Sequence, residues 1–219
     1  MKRLLDIFFS SLALLVLLPF LFPISLILRF TGEREIFYKQ KRVGKNGIHF
    51  NVLKFATMLK DSPNIGAGEI TLKNDPRVLP FGSFLRKTKI NELPQLWNIL
   101  CGEMSIVGPR PMVPNTYKKY KMNDREIISK VRPGLTGIGS IFFRNEERFL
   151  KDCRNPNKFY EQHIIPYKSK LEIWFVQNNT LLVYIKSVVV TAWIVVFPSS
   201  NIGNLFFKDL PKPPKELQK

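Results

Sequence analysis

The 219-residue sequence has few of the residues that build disulfide frameworks, zinc sites or histidine-based active sites. It holds two cysteines, Cys101 and Cys153, and two histidines. Neither cysteine stands at metal-ligand spacing from the other or beside a histidine, so neither a zinc site nor a disulfide framework is indicated. A reducing compartment fits this composition best.

Acidic residues are also scarce. The chain has 17 Asp and Glu against 34 Lys and Arg, a formal net charge of +17. A surplus of this size predicts an anionic partner: nucleic acid, an anionic membrane surface or a phosphorylated substrate. We expect no nucleic-acid partner, because the chain lacks a recognisable nucleic-acid-binding motif and such a partner would not explain the apolar N-terminus.

A Walker-type phosphate loop is missing as well. Gly134, Gly137 and Gly139 form a glycine-rich turn region, but the Lys-Ser or Lys-Thr pair of a P-loop does not follow them. Any phosphate group must therefore be held by other residues.

Residues 7–28 form an uncharged apolar run. At about 1.5 Å per residue, a helix of about 22 residues could just cross a bilayer. The run is long for a signal peptide and no small-x-small cleavage site follows it, so we predict a retained membrane anchor. Pro19 and Pro23 lie inside the run, and each removes one helical hydrogen bond.

Both flanks of the anchor are basic, with Lys2 and Arg3 before it and Arg29 and Arg34 after it. The positive-inside rule favours the cytoplasm for both ends. We therefore predict a re-entrant helix over residues 1–35, whose freed carbonyls find donors such as Ser10 or Ser11 or neighbouring helices. A kinked spanning helix is the alternative.

The rest of the chain predicts a single small α/β domain with peripheral amphipathic helices over residues 36–200. Residues 36–58 have the pattern of a β-hairpin turning at Gly44 to Gly47, and residues 61–80 that of a loop. Residues 116–130 predict a charged helix. Residues 181–197 predict a core or interfacial helix or a marginal second span. The tail, 201–219, is predicted to end in a short disordered stretch.

The stretch 85–111 is the predicted active site, because basic, acidic and proline-fixed residues alternate in it too tightly for an ordinary core segment. Asn91 and Glu92 stand side by side in a basic stretch that contains Arg86. Such a mixture suits a phosphate-bearing ligand with a metal ion. The structural alternative is a helix that begins near Asn91, with Asn91 as its N-cap and Glu92 in its first turn.

The GPRP loop ends this stretch. Pro109 and Pro111 restrict the backbone on both sides of Arg110, so its guanidinium can be presented to a phosphate or a planar ring at low entropic cost. The alternative is a structural pair between Arg110 and Glu103. Lys54, in the hairpin, and Arg86 are further candidates for binding phosphate.

Several motifs together resemble a known family. They are KR-x-x-D at 2–6, Y-x-Q-x-R-x-G at 38–44, KFATM at 54–58, DPR at 75–77, LRKTKINELPQLWNIL at 85–100, GEMSIVGPRP at 102–111 and VRPGLTG at 131–137. The chain resembles, over nearly its whole length, the bacterial sugar transferases, monotopic phosphoglycosyl transferases that start glycan assembly on a polyprenyl phosphate.

The resemblance implies a re-entrant anchor in the bacterial inner membrane and a catalytic domain on its cytoplasmic face. It implies a UDP-sugar donor, undecaprenyl phosphate as acceptor and Mg²⁺ as cofactor, and leaves room for a homodimer. In the implied reaction one carboxylate of an acidic pair attacks the sugar-linked phosphate, UMP leaves, and the acceptor phosphate then takes the phosphosugar from the enzyme. The product would start an O-antigen, capsule or exopolysaccharide.

Carried onto this sequence, the resemblance predicts one set of site residues. They are Glu92 and Asn91 for catalysis, Glu92 for the metal, and Lys54, Arg86, Pro109, Arg110 and Pro111 for substrate.

The chain departs from the family at three places: Asn91 replaces an aspartate, Ala56 replaces a basic residue, and residues 138–145 replace an aromatic loop that contains glutamine. An amide is a poor nucleophile. Either Glu92 attacks, another acid such as Asp75 or Glu103 takes a role, Asn91 was engineered to trap the enzyme, or activity is weak or lost. We expect an active variant, and the alternative is a catalytically impaired, membrane-anchored homologue that binds nucleotide-sugars.

Overall fold

The structure is a computed structural model that describes residues 1–65, 75–144, 146–150, 155–198, 200, 202–207 and 209–218. The helices are α1 (Lys2–Phe30), α2 (Pro80–Lys87), α3 (Gln95–Cys101), α4 (Pro114–Lys119), α5 (Met122–Ile128), α6 (Ile138–Phe142), α7 (Glu147–Leu150), α8 (Pro156–Phe159), α9 (Ile165–Gln177), α10 (Leu181–Val196) and α11 (Ile202–Phe206). The strands are β1 (Phe37–Val43), β2 (His49–Phe55), β3 (Ser105–Val107) and β4 (Gly134–Thr136).

The apolar N-terminal run folds as α1, which packs against the rest of the chain along one stripe. Leu14 and Leu17 pack on the cluster around Val52 and Ile99, and Leu21 and Ile24 pack farther along on a cluster formed by Leu28, Phe55 and Leu85. The stripe repeats every three or four residues, as one face of a helix requires. The opposite face leaves large apolar side chains exposed. This helix is long and apolar enough to cross a membrane, and an 18-residue window within it has a mean hydropathy of 2.6.

The helix is continuous through Pro19 and Pro23. Each proline leaves the carbonyl four residues earlier, at Leu15 and at Pro19, without its helical N–H donor. Ser10 donates instead to the carbonyl oxygen of Asp6, at 2.6 Å. Of the predicted donors for these carbonyls, Ser10 is therefore wrong, whereas Ser11 and neighbouring helices stay a prediction.

The KR-x-x-D motif fastens the beginning of α1 to the domain. Asp6 is buried, and its carboxylate accepts hydrogen bonds from the Ser105 hydroxyl, the Ile106 N–H and the Tyr184 hydroxyl at 2.9–3.0 Å. The Arg3 guanidinium donates to the carbonyls of Ile99 and Leu100, at the end of α3. Because the last carbonyls of a helix lack intrahelical donors, Arg3 also completes that helix end.

The hairpin prediction is confirmed. β1 and β2 pair antiparallel from Phe37 opposite Phe55 to Val43 opposite His49. The turn is a short 3₁₀ segment, Lys45–Gly47, in which Asn46 and Gly47 adopt positive φ values of 55° and 76°. Asparagine and glycine are the residues that tolerate this conformation best.

The second sheet explains the VRPGLTG motif. β3 pairs with β4 in parallel, and the backbone of Gly108 crosses that of Gly134 and Gly137 closely. A Cβ on Gly137 would lie 2.1 Å from the Gly108 carbonyl oxygen, and one on Gly134 equally close to the Gly108 nitrogen. Larger residues would push the strands apart, so the glycines bring the GPRP loop against the start of β4.

The α/β prediction is confirmed only in the general sense of a mixed fold, because the described strands form two separate two-stranded sheets. The predicted helix at 116–130 is divided into α4 and α5. Residues 66–74 of the predicted loop 61–80 lie outside the described residues.

The prediction of a disordered end is wrong for the described part of the tail. Lys215–Leu217 forms a 3₁₀ turn, and Leu217 is buried in the main hydrophobic cluster. The Tyr167 hydroxyl donates to the carbonyl of Pro211 at 3.0 Å.

Replacement of Asp6 with alanine is expected to destabilise the whole domain. It would leave the N–H of Ile106 and the hydroxyl of Tyr184 without this acceptor, and each unsatisfied buried donor costs about 1–3 kcal/mol. We expect a loss of roughly 2–5 kcal/mol, measured as a lower melting temperature in detergent. Leu4→Ala, at an exposed position of α1, is the control and should have little effect. Equal melting temperatures for Asp6→Ala and the parent would contradict this role.

Candidate functional site

A cleft of about 550 Å³ opens between the hairpin, the segment after α2 and the GPRP loop. Several cationic and polar side chains line it, namely Lys54, Arg86, Lys89, Asn91, Glu92 and Arg110. Five of these, all but Lys89, are predicted site residues, and three separate segments bring them together. Pro109 and Pro111 are buried and are not among the residues that line the cleft.

The Glu92 carboxylate lies between two cations. Its Oε1 is 3.4 Å from Lys54 Nζ and 3.2 Å from a terminal nitrogen of the Arg110 guanidinium. The side chains of Glu92 and Lys54 are 16% and 17% exposed, whereas that of Arg110 is 46% exposed. Arg110 is thus the partner that a ligand can reach most easily.

These charges determine the protonation of the site. Burial opposes ionisation of Glu92, but Arg110 and Lys54 outweigh it and hold the pKa of the Glu92 carboxyl well below its usual range. Burial lowers the pKa of Lys54 to about 8, and Glu92 only partly compensates. Burial also lowers the pKa of Lys89. Glu92 is therefore ionised at neutral pH, while Lys54 can lose its proton in mildly alkaline solution.

Asn91 lies in a 3₁₀ turn, Ile90–Glu92, that follows Lys89 in the left-handed conformation with φ of 62°. This unusual backbone at Lys89 turns the chain out of α2 and places both Asn91 and Glu92 at the cleft. The expectation that Asn91 caps a helix is wrong, because α3 begins at Gln95 and none of the described side chains caps it. Asn91 is buried, and its Oδ1 has no hydrogen-bond partner among the described residues.

The GPRP loop is held from both sides. The N–H of Val43, in β1, donates to the Met112 carbonyl at 2.9 Å, and Arg42 donates to that of Pro111 at 2.9 Å. On the other side the Gly134 N–H donates to the Pro109 carbonyl at 2.8 Å. The loop between these bonds presents Arg110 to the cleft.

Two acids that could have replaced the missing aspartate stand elsewhere. Asp75 forms a buried pair with Arg77, with a shortest distance of 2.6 Å, and Glu103 accepts a hydrogen bond from Asn98 at 2.6 Å. Neither is among the residues that line the cleft. The alternative pairing of Arg110 with Glu103 is wrong, because Arg110 pairs with Glu92.

The remaining departures also map onto the structure. Ala56 lines the cleft without contributing a charge. In segment 138–145, residues Ile138–Phe142 form α6, Arg144 is near enough to help lower the pKa of Lys89, and Asn145 lies outside the described residues. Lys89 itself belonged to the basic stretch, but its role in the site depends on a left-handed turn that the sequence did not indicate.

A metal ion would find a small set of oxygen donors here. Within the described ranges no cluster of three or more His, Cys, Asp or Glu could hold a metal by itself. The consecutive residues Asn91 and Glu92 nevertheless both line the cleft, and the Oδ1 of Asn91 has no hydrogen-bond partner among the described residues. Mg²⁺ commonly binds through one or two protein oxygens together with substrate phosphates and water, so the residues present fit Mg²⁺ only with a phosphate ligand.

Comparison with known proteins identifies the group to which these features belong. Residues 1–198 match the family model described as bacterial sugar transferase. The chain is 40% identical over 159 residues to the exopolysaccharide production protein ExoY of Sinorhizobium fredii, covering 66% of this chain and 70% of the relative.

Two longer relatives carry names that state a reaction. The UDP-glucose:undecaprenyl-phosphate glucose-1-phosphate transferase of Klebsiella pneumoniae is 38% identical over 142 residues, covering 64% of this chain and 30% of the relative. The undecaprenyl-phosphate galactose phosphotransferase of Salmonella typhimurium is 30% identical over 197 residues, covering 83% and 37%. The chain thus spans about a third of the length of these two relatives.

Anion binding in the cleft is expected to weaken as the pH rises through about 8, because a lysine carries its charge only below its pKa. Loss of one charge-assisted contact should weaken the binding of pyrophosphate roughly 10-fold. Titration calorimetry at pH 7 and pH 9 would measure this change.

The matched variant for this experiment is Lys54→Arg, which stays charged at pH 9. Pyrophosphate changes its own ionisation between pH 7 and pH 9 in the same way for both proteins. The ratio of their affinities therefore reports only the loss of charge on Lys54. A ratio that does not change between pH 7 and pH 9 would show that Lys54 does not contact the anion.

Proposed function

The chain belongs to the bacterial sugar transferase family, and from this we propose that it transfers a phosphosugar from a UDP-sugar to undecaprenyl phosphate with release of UMP. This would be the first membrane step of O-antigen, capsule or exopolysaccharide assembly. The names of the Klebsiella and Salmonella relatives support the acceptor, and the former supports the donor. The observation that carries the proposal is the ionised Glu92 carboxylate held between Lys54 and Arg110 in a cationic cleft.

In the first step the donor diphosphate takes Arg110 and Lys54 as its counterions and thereby frees Glu92. An oxygen of the Glu92 carboxylate attacks the phosphorus that carries the sugar. The bond from this phosphorus to the bridging oxygen breaks, and its electron pair leaves with UMP. Because Glu92 is already ionised, no base has to remove a proton first.

In the second step an oxygen of undecaprenyl phosphate attacks the same phosphorus, and the bond to Glu92 breaks to restore the carboxylate. Once UMP has left, Arg110 and Lys54 are again available to stabilise the Glu92 carboxylate, which makes it a good leaving group. Mg²⁺, when bound, would neutralise charge on the diphosphate. The Glu92 oxygen that does not attack and the Asn91 Oδ1 would hold it.

One observation favours a second candidate, a catalytically impaired homologue that binds nucleotide-sugars. Asn91 cannot supply the carboxylate of the family aspartate. A Glu92 carboxylate with a lowered pKa is also a weaker nucleophile, because the cations that stabilise it in the resting site reduce its basicity. This candidate predicts thermal stabilisation by UDP-sugars without release of UMP.

We further propose that α1 is re-entrant in the bacterial inner membrane and that the domain faces the cytoplasm. A helix of 29 residues is about 43 Å long, yet Arg3, near one end, and Leu28, near the other, both contact the same domain. A helix that spans the bilayer would separate its ends across about 30 Å of hydrocarbon. The exposed apolar side chains of α1 and α10 supply a surface that lipid can cover.

The activity predicts that UMP is released when the protein is incubated with UDP-glucose or UDP-galactose, Mg²⁺ and undecaprenyl phosphate. Glu92→Gln should lower the rate at least about 1000-fold, as expected when a nucleophile is removed. Intact-mass measurement without the acceptor should detect a phosphosugar adduct in the parent and none in Glu92→Gln. Luminescence detection of UMP gives the rate.

Two further variants make this result decisive. Glu103→Gln changes an acid outside the cleft and should retain the parental rate. If the parent releases no UMP while Asn91→Asp does, the active-variant proposal fails and the impaired homologue is supported. Release from Glu92→Gln at the parental rate would exclude Glu92 as the nucleophile.

The re-entrant anchor predicts that both flanks of α1 stay inside the cell. In a background without Cys101 and Cys153, single cysteines at Lys2 and at Glu33 should react with a membrane-impermeant maleimide only after the cells are permeabilised. Labelling of the Lys2→Cys protein in intact cells would instead indicate a spanning helix.

A further inference from the structure

A buried acid that has no part in the proposed chemistry lies in contact with the GPRP loop. Glu172, on α9, is 3% exposed, and its Oε1 accepts a hydrogen bond from the backbone N–H of Arg110 at 3.3 Å. Its Oε2 is buried without a hydrogen-bond partner among the described residues. Glu172 thus holds the backbone of the residue whose guanidinium contacts Glu92.

The surrounding chain makes room for this carboxyl. A Cβ on Gly139, in α6, would lie 2.3 Å from Glu172 Oε1, so any larger residue there would displace the oxygen that contacts Arg110. The absence of a side chain at Gly139, in α6, therefore leaves the space that the Glu172 carboxyl of α9 occupies.

Burial of the Glu172 carboxyl carries a desolvation cost. Burial raises the pKa of Glu172 to about 7, and the Arg110 N–H and the charge of Lys168 act in the opposite direction. Lys168 is itself paired with Glu146 at 2.7 Å and cannot serve Glu172 as a dedicated counterion. An apolar residue of similar size would avoid the desolvation penalty, so stability of the fold alone does not account for a carboxyl at this position.

We propose that Glu172 is a positioning residue that fixes the Arg110 backbone so that the guanidinium reaches the donor diphosphate and Glu92. The side chain of Arg110 leaves the loop one bond away from the N–H that Glu172 holds. Pro109 and Pro111 limit rotation about their own φ. The peptide unit between Pro109 and Arg110 is held at both ends, because its carbonyl accepts a hydrogen bond from the Gly134 N–H and its N–H donates to Glu172 Oε1. The assignment of the ligand rests on the proposed function, whereas the contact with Arg110 does not.

The test is the binding of UDP, measured by titration calorimetry, in a double-mutant cycle between positions 172 and 110. Arg110→Ala should weaken binding roughly 10-fold by removing a charge-assisted contact. Glu172→Met, similar in size but without an acceptor oxygen, should weaken it roughly 3- to 10-fold. The double variant should bind no more weakly than Arg110→Ala alone, because Glu172 acts through Arg110.

Rescue by the conservative change completes the experiment. Glu172→Gln retains an oxygen that can accept the Arg110 N–H and should bind UDP within about twofold of the parent. Melting temperatures of all variants identify any that fail to fold. Gly139→Ala, which encroaches on the same oxygen, should weaken UDP binding in the same direction as Glu172→Met.

Two results would overturn the proposal. Equal UDP affinity in folded Glu172→Met and the parent would show that Glu172 does not position Arg110. Fully additive losses in the double variant would show that Glu172 acts on the fold and not through Arg110. Because the readout is binding, a parent that binds UDP but never releases UMP would refute the proposed function and leave this test intact.

Discussion

The balance of charge around Glu92 is the interaction on which the site depends. The carboxylate of Glu92, which lies on a 3₁₀ turn, forms ion pairs with Lys54 of the hairpin and with Arg110 of the GPRP loop. Without a ligand the carboxylate compensates cations that would otherwise repel each other in a partly buried cleft. An anionic ligand can replace it in that role, and in the proposed reaction this exchange frees the same carboxylate to attack phosphorus.

The amide at position 91 shifts this balance. An aspartate would add a second negative charge beside Glu92, against the cations Lys54, Lys89 and Arg110. With asparagine the cleft keeps a larger positive surplus, which favours binding of a diphosphate and disfavours binding of a free divalent cation. The Oδ1 of Asn91 has no partner among the described residues, so asparagine lowers the negative charge beside Glu92 and keeps an oxygen that could bind the proposed Mg²⁺.

The sequence predicted what local patterns and charge determine. The hairpin was predicted from β-branched and aromatic residues on either side of a turn at Gly44 to Gly47. Lys54, Arg86 and Arg110, which were predicted to bind phosphate, line one cleft. The predictions that were wrong concern features that depend on tertiary packing. Because Lys89 adopts the left-handed conformation, Asn91 lies in a 3₁₀ turn and not at the start of α3. The tail was predicted to be disordered from its composition, but its Leu217 is buried in the main hydrophobic cluster.

Glu172 was missed for a related reason. Within α9 it follows Leu171 and precedes Ile173, and nothing in that order distinguishes a solvated acid from a buried one. Only the packing of α9 against α6 and the GPRP loop places it under Arg110. The signal available in the sequence was weak: one acid in an otherwise apolar stretch of helix.

A continuous path of contacts connects α1 to the candidate site. Asp6 in α1 accepts hydrogen bonds from Ser105 and Ile106 in β3, and β3 runs directly into the GPRP loop that carries Arg110. The register of the membrane helix therefore fixes the strand from which the loop departs. In a protein whose proposed acceptor moves in the bilayer, this arrangement holds the phosphate-binding residues at a constant position relative to the lipid-facing helix. The buried carboxylate of Asp6, an unusual residue for the first turns of an apolar helix, is explained by the hydrogen bonds that hold α1 against β3 and Tyr184.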